Sequence, residues 1–275
     1  MEERILYVSD LDGTLMRNDG KLSKYTIDTI NDLIENGLSF TYATARSIES
    51  ARRITGGLKI NLPVVTRNGS VLADNTTGEH IQRSVFSDET ITLLKQLLPE
   101  LPACGFVSSF KDDKMLRNYI PCEHTPELQG YLDYYENDPS MHKKNDIDDM
   151  FSDEPGYVTM IGRKEVIEPI YDRVKKYDNW ESLFQKDTYR DEYWLEICPK
   201  ACTKAKTILR LKEELGYDKL VVFGDSINDI SMFNVADESY AVSNALDVLK
   251  ELATKVIGSN EEDSVANFLK ARHYT

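Results

Sequence analysis

No apolar run in this 275-residue sequence approaches the roughly 20 residues of a membrane-spanning helix. Cysteine is scarce: Cys104, Cys122, Cys198 and Cys202 are scattered, with no CxxC pair and no histidine at zinc spacing. They read as reduced, structural thiols. Basic residues are in deficit, 33 Lys and Arg against 47 Asp and Glu, for a formal net charge of −14. That deficit argues against nucleic acid or an anionic membrane as partner, since both need a basic surface. An anionic substrate would have to be drawn in by local positive charge, from a metal ion or from particular Lys and Arg side chains. The acidic run 146–154 lacks the glycine that a calcium loop needs at its sixth position, so a solvated loop is expected there. There is no internal repeat and no low-complexity linker. The start MEERILYVSD runs straight into a strand without a signal-peptide pattern, and the expected compartment is the cytoplasm.

What is present begins with Tyr7 to Leu15, YVSDLDGTL. Ile5 to Val8 is too short and too rich in branched residues for a helix and reads as a buried strand. Asp10 and Asp12 follow where it ends. Like charges that close cost free energy unless a cation or a shared proton offsets them. Gly13 allows a sharp turn that can face amide hydrogens toward an anion.

The chain is long enough for a core domain plus a smaller one. A helix capped near Ser23 and ended by Gly37, a strand over 38–43 running into Thr44, Ala45 and Arg46, a helix over 47–54 and a strand over 63–66 form a strand–helix–strand alternation. That pattern marks a parallel sheet with right-handed crossovers. A hairpin over 71–73 and 81–85 leaves it. Residues 86–187, rich in Tyr, Asp and Pro, read as an inserted α+β unit, and the parallel pattern resumes afterwards. The expected fold is α/β, a Rossmann-like parallel-sheet core over 1–85 and 188–275 with an inserted domain over 86–187. Tyr131, Tyr134 and Tyr135 could stack on a ligand, though such aromatics more often belong to a small domain's own core.

If the first strand is central, the chain changes direction between the strands ending at Asp10 and Asp225. Ligands bind in such a crevice beyond the carboxyl ends of the strands. Asp10, Asp12, Asp225 and Asp229 would meet there, with Thr44 on the neighbouring strand. Four carboxylates at neutral pH call for a divalent cation, and oxygen ligands suit Mg²⁺. Lys204 falls in the first turn of a helix, where the macrodipole disfavours a cation. The placement makes sense if it points at a bound phosphate and at the carboxylates.

In these residues the chain resembles the haloacid dehalogenase-like hydrolases, and within them the Cof-type phosphatases. The motifs stand in order: DLDGTL at Asp10 to Leu15, ATAR at Ala43 to Arg46, Lys204 in CTKAKTIL, and GDSINDISMF at Gly224 to Phe233. Between Asp10 and Thr44 lie 33 residues, and between Thr44 and Lys204 lie 159. The resemblance therefore implies a large α/β specificity domain at the second insertion point. It also implies that Asp10 is the nucleophile forming an aspartyl-phosphate, and that Asp12 is the acid and base. Mg²⁺ would sit on Asp10, the Asp12 carbonyl and Asp225, with Asp229 close behind. Thr44, Lys204 and Asn228, with first-turn amides from Leu11 to Gly13 and the Ala45 segment, would hold the phosphoryl oxygens. Arg46 would either meet the substrate or stabilise its loop. Ala45 and Ala205 stand where the family commonly has glycine, and neither removes a reacting group. The implied activity is Mg²⁺-dependent hydrolysis of a small phosphorylated metabolite, a sugar phosphate above all. The alternatives are a phosphomutase with the same chemistry and a non-catalytic sensor of phosphometabolites.

Overall fold

The computed structural model describes residues 3–112, 114–187, 189–200 and 202–273. Residues 1, 188 and 275, which bound the expected domains, lie outside the described residues. The chain divides into two compact units, one of Met1–Gln82 with Thr203–Thr275 and one of Arg83–Cys202.

The first unit opens with β1 (Ile5–Ser9), α1 (Lys24–Glu35), β2 (Ser39–Tyr42), α2 (Ile48–Thr55), β3 (Val64–Thr66), β4 (Val71–Ala73) and β5 (His80–Arg83), the last reaching the boundary. The second unit follows with α3 (Asp88–Leu97), β6 (Phe106–Lys111), β7 (Lys114–Tyr119), α4 (Pro126–Tyr134), β8 (Met141–Lys143), α5 (Ile147–Met150), β9 (Glu154–Gly162), α6 (Lys164–Val174), β10 (Trp180–Lys186) and β11 (Tyr193–Pro199). The first unit then resumes with α7 (Lys204–Glu214), β12 (Lys219–Gly224), α8 (Ile230–Phe233), β13 (Glu238–Ala241), α9 (Asp247–Leu252), β14 (Lys255–Val256) and α10 (Ser264–His273).

The core of the first unit is a parallel sheet in the order β14-β13-β12-β1-β2. Its central strands are buried on both faces: Leu6 and Val8 of β1 and Leu220 to Phe223 of β12 have no exposed surface. Both therefore read as continuous apolar runs rather than alternating ones. The sequence separates β1 from β12 by two hundred residues, yet they pair directly, and the change of direction falls between them. Ser23 caps α1 by accepting from the Thr26 amide at 2.9 Å.

The strand expected over 63–66 departs from the parallel pattern. Only one parallel bridge, Ala43 to Val65, ties it to the main sheet, and β3 otherwise pairs antiparallel with β4 in a three-stranded sheet. Three residues are too few to form a full ladder, and the hairpin that follows offers a closer partner.

The second unit is a six-stranded sheet in the order β10-β11-β9-β6-β7-β8. Strand β11 lies beyond the expected boundary at 187 but pairs along its length with β10 and β9, which is why the division falls at Cys202. One face carries α3 and α6 over Leu94, Val107, Val158, Ile170 and Leu195, and α4 covers the other at Phe106 and Ile161. Tyr131 stacks on Phe106, as a core aromatic does, whereas Tyr134 is 73% exposed. The acidic run is not simply a loop: Asp146 caps the single turn α5 by accepting from the Asp149 amide at 2.8 Å. Cys104 and Cys122 are joined in a disulfide, against the expectation of reduced thiols, because β6 and β7 bring their flanking segments together; Cys198 and Cys202 are buried, with Cys198 Sγ 3.3 Å from the Cys202 carbonyl. No helix among the described residues is long and apolar enough to cross a membrane.

Candidate active site

Register explains why distant acids meet. Ser9 is level with Phe223 on one side and with Tyr42 on the other. The next residues along each strand, Asp10, Gly224 with Asp225, and Ala43 with Thr44, therefore emerge together at the carboxyl edge. Backbone bonds hold them there, from the Asp10 amide to the Phe223 carbonyl (3.0 Å) and from the Ala43 amide to the Ser9 carbonyl (2.9 Å).

The chain leaves β1 through a tight turn. Asp12 (φ −71°, ψ 120°) and Gly13 (φ 76°, ψ −5°) have the angles of a type II turn, whose third position needs φ above zero. A Cβ on Gly13 would also lie 2.5 Å from Asp225 Oδ2, so this position is constrained by space as well as by angle. The Thr14 hydroxyl donates to Asp225 Oδ1 (2.8 Å), and the Asn244 amide donates to the Gly13 carbonyl (2.8 Å).

Oxygen atoms of Asp10, Asp225 and Asp229 lie within 4.8 Å of one another. Lys204 reaches the cluster from the first turn of α7 and donates to Asp10 Oδ1 (2.5 Å) and Asp229 Oδ1 (2.7 Å), with its side chain wholly buried. The other Asp229 oxygen accepts from the amides of Asp225 (2.9 Å) and Ser226 (3.1 Å), an approach possible because Gly224 has no Cβ to meet it. Asp229 thus orients the lysine and ties down the end of β12.

Burial, together with Asp229, Asp225 and Asp12 nearby, pushes the Asp10 carboxyl well above the ordinary carboxylate range despite Lys204. Burial, reinforced by Asp229, raises Asp225 to about 7. Burial works against the Lys204 charge, but Asp10 and Asp229 outweigh it and hold the ammonium above the ordinary lysine range. One ammonium faces three carboxylates, Asp10 and Asp229 buried and Asp225 half-buried, so the acids outnumber the cation. A hard divalent cation fits that donor set, since it would keep the acids ionised.

Asp12 is not one of the three clustered acids, though its charge bears on them. Its carboxylate accepts a two-pronged ion pair from Arg46, Nε to Oδ2 (2.7 Å) and Nη2 to Oδ1 (2.6 Å). Arg46 also donates to Ser50 Oγ at 3.0 Å. Thr44 is fully buried, and its hydroxyl oxygen accepts from the Arg46 amide (3.1 Å). Asn228 donates to Asn68 Oδ1 (3.0 Å), while its own Oδ1 is buried without a hydrogen-bond partner among the described residues.

Three residues of this arrangement were not among the expected site residues. Asn68, in the left-handed region at φ 51°, links Asn228 to Thr44 through its amide (3.0 Å to the Thr44 carbonyl). Its signal was the Arg67-Asn68-Gly69 break after β3. Thr14 was visible inside DLDGTL, but nothing in the sequence pairs it with Asp225. Asn244 carries no signal at all, since the turn it braces is 231 residues away.

Comparison with known proteins agrees with this geometry. A family model described as haloacid dehalogenase-like hydrolase matches residues 7–269. A 5-amino-6-(5-phospho-D-ribitylamino)uracil phosphatase of Bacillus subtilis is 26% identical, over 94% of this chain and 95% of that protein. The fold is shared with a haloacid dehalogenase-like hydrolase from Bacteroides thetaiotaomicron (TM-score 0.77, 19% identity, 98% of this chain and 100% of the other). It is shared too with a sugar phosphatase of subclass IIB (TM-score 0.74, 17% identity, 99% and 100%). With nearly its whole length matched, the chain belongs to the haloacid dehalogenase-like hydrolases.

Proposed function

We propose that the protein is a phosphomonoesterase, dependent on Mg²⁺, that hydrolyses a small phosphorylated metabolite of the sugar phosphate class through an aspartyl-phosphate on Asp10. The observation that carries this reading is the buried contact of Lys204 with Asp10 and Asp229 beside Asp225. An aspartate held in place by a lysine amid unneutralised carboxylates is of little use to packing, and it suits attack on an electrophile that arrives with a cation. The phosphatase names of the relatives and the sugar phosphatase among the structural neighbours support the substrate class.

Asp10 and Asp225, with the Asp12 carbonyl, would hold Mg²⁺, and Asp229 would stand behind them through water. When bound, the ion supplies charge neutralisation for the phosphoryl oxygens and the nucleophile. A carboxylate oxygen of Asp10 attacks phosphorus, the bond from phosphorus to the alcohol oxygen breaks, and Asp12 gives that oxygen its proton. The Asp12 carboxylate then takes a proton from water, whose oxygen attacks phosphorus. The phosphorus–Asp10 bond breaks, which releases phosphate and restores both acids. Lys204, Thr44, Asn228 and amides of the Leu11–Gly13 turn and of Ala45 steady the phosphoryl oxygens.

The test is phosphate release from an aryl phosphate and from a panel of sugar phosphates, with Mg²⁺ and with EDTA. Release in Mg²⁺ and none in EDTA is expected. Asp10→Asn should lower kcat by about 10³-fold or more, as loss of a nucleophile does, with the fold intact by circular dichroism. Full activity in that variant would remove Asp10 from its role. Turnover of the aryl phosphate to free phosphate separates hydrolysis from phosphomutase activity.

A further inference from the structure

The open end of the β6–β7 hairpin gathers a second set of ligands, within the second unit and of different chemistry. Phe106 pairs with Tyr119 in the last rung of the ladder, so Cys104 and Cys122 lie just beyond it on facing segments. His124 immediately precedes Thr125, whose hydroxyl caps α4 by accepting from the Leu128 amide (3.2 Å) and donates to the Ile161 carbonyl. The backbone beside His124 is thus fixed by a capped helix start. The two Sγ atoms and a ring nitrogen of His124 lie within 4.8 Å of one another, and Cys122 Sγ is 3.4 Å from His124 Nδ1. All three residues are half-buried, open enough for an ion to enter.

A disulfide accounts for only two of these groups, and the His124 ring, edge-on to Tyr119 (centroids 6.3 Å), presents Nδ1 to the Cys122 sulfur. The Cys104 and Cys122 Cα atoms are 6.9 Å apart, just beyond the roughly 4.4–6.8 Å usual for a bridge. Two thiolates and an imidazole are the ligands of a soft or borderline metal, unlike the all-oxygen cluster around Asp10.

We propose that Cys104, Cys122 and His124 form a metal site, fitted to Zn²⁺, which the chain fills when its disulfide is reduced and which leaves a fourth position to water. The bonded and metal-bound states exclude each other. Opening the bridge takes two electrons and two protons, which two molecules of a small thiol supply as they leave joined in their own disulfide. Metal binding then expels both Sγ protons to solvent as two metal–thiolate bonds form, and Nδ1 donates its lone pair.

Cobalt(II) is the probe, because thiolate ligands give it an intense near-ultraviolet charge-transfer band that carboxylate ligands do not. Full-length protein reduced with a phosphine and titrated anaerobically should develop that band at one ion per chain, and the oxidised protein should not. Cys122→Ser should abolish it. His124→Ala should weaken cobalt binding by about tenfold or more, at least the effect of losing an outer-shell partner. A reduced wild-type protein without the band, or a band unchanged in Cys122→Ser, overturns the proposal. Alkylation of the reduced wild-type protein needs no variant. Zn²⁺ should slow iodoacetamide labelling of Cys104 and Cys122 by about tenfold while Mg²⁺ does not, with the buried Cys198 and Cys202 as internal references. Equal labelling in both ions counts against the site. Neither readout involves phosphate release, so the outcome is independent of the phosphatase reading.

Discussion

At the scale of single residues, the site depends on two positions whose replacement acts in different ways. Gly13→Ala places a Cβ at φ 76° and 2.5 Å from an Asp225 oxygen. The left-handed conformation alone costs an alanine about 1–2 kcal/mol, and the clash displaces a carboxylate of the proposed Mg²⁺ site. Urea unfolding should show a lower midpoint with an unchanged slope, and Mg²⁺ should then restore less stability than it gives the wild type. Lys204→Met removes the one cation inside the acid cluster. Breaking a buried ion pair on one side typically costs about 3–5 kcal/mol, because a charge is left uncompensated. In EDTA the variant should lose about that much stability, and Mg²⁺ should recover part of it without restoring turnover. Unaltered stability in EDTA would mean that Lys204 does not carry the charge balance described here. The sequence placed Lys204 in a first turn, where a cation is disfavoured, and that anomaly made the residue legible. The Arg46–Asp12 pair was not legible, since spacing says where a side chain starts and not which of two neighbours it chooses.

At the scale of elements, α10 is fastened to strand β13 of the parallel sheet by charge. Arg272 donates to both oxygens of Glu238 on β13 (2.5 and 2.8 Å), and Tyr240 donates to the same carboxylate (2.6 Å). The hydrogen bond from Arg272 holds Glu238 at about 2, below its usual 4.5. A depressed acid adds stability that is fully present above the unfolded value near 4.5 and is lost as pH falls toward the folded value near 2. Wild-type stability should therefore drop more steeply than that of Glu238→Gln between about pH 4.5 and 2. The difference should be about 1–2 kcal/mol, the scale of a hydrogen bond to a charged group. Parallel acid titrations followed by circular dichroism would show it, and superimposable curves would deny the pair any role in stability. Elements of this kind were unevenly readable. The buried strands β1 and β12 announce themselves as apolar runs ending in Asp, whereas β6 and β7 do not, because Ser108, Ser109 and Asn118 interrupt their pattern. Strand β14, with two exposed residues, has no pattern to find.

At the scale of the whole molecule, the chain leaves one unit, builds a second and returns, and the two proposed metal sites fall in different units. Every residue proposed for Mg²⁺ belongs to the first unit, whereas both tryptophans, Trp180 and Trp194, belong to the second. That separation can be used. A ligand that binds only the folded state stabilises by about 2.7 kcal/mol at a hundred times its dissociation constant. For a unit of this size each kcal/mol shifts the midpoint by about 2–4 °C, so saturating Mg²⁺ should raise the first unit's calorimetric transition by roughly 5–10 °C over EDTA. Tryptophan fluorescence, which reports the second unit alone, should melt at the same temperature in both conditions if the units unfold separately. Asp225→Asn should remove the calorimetric shift. If the shift survives in Asp225→Asn, the ion is held elsewhere. If fluorescence follows the calorimetric shift, the two units unfold cooperatively and the boundary at Gln82 and Cys202 divides the contacts without dividing the stability.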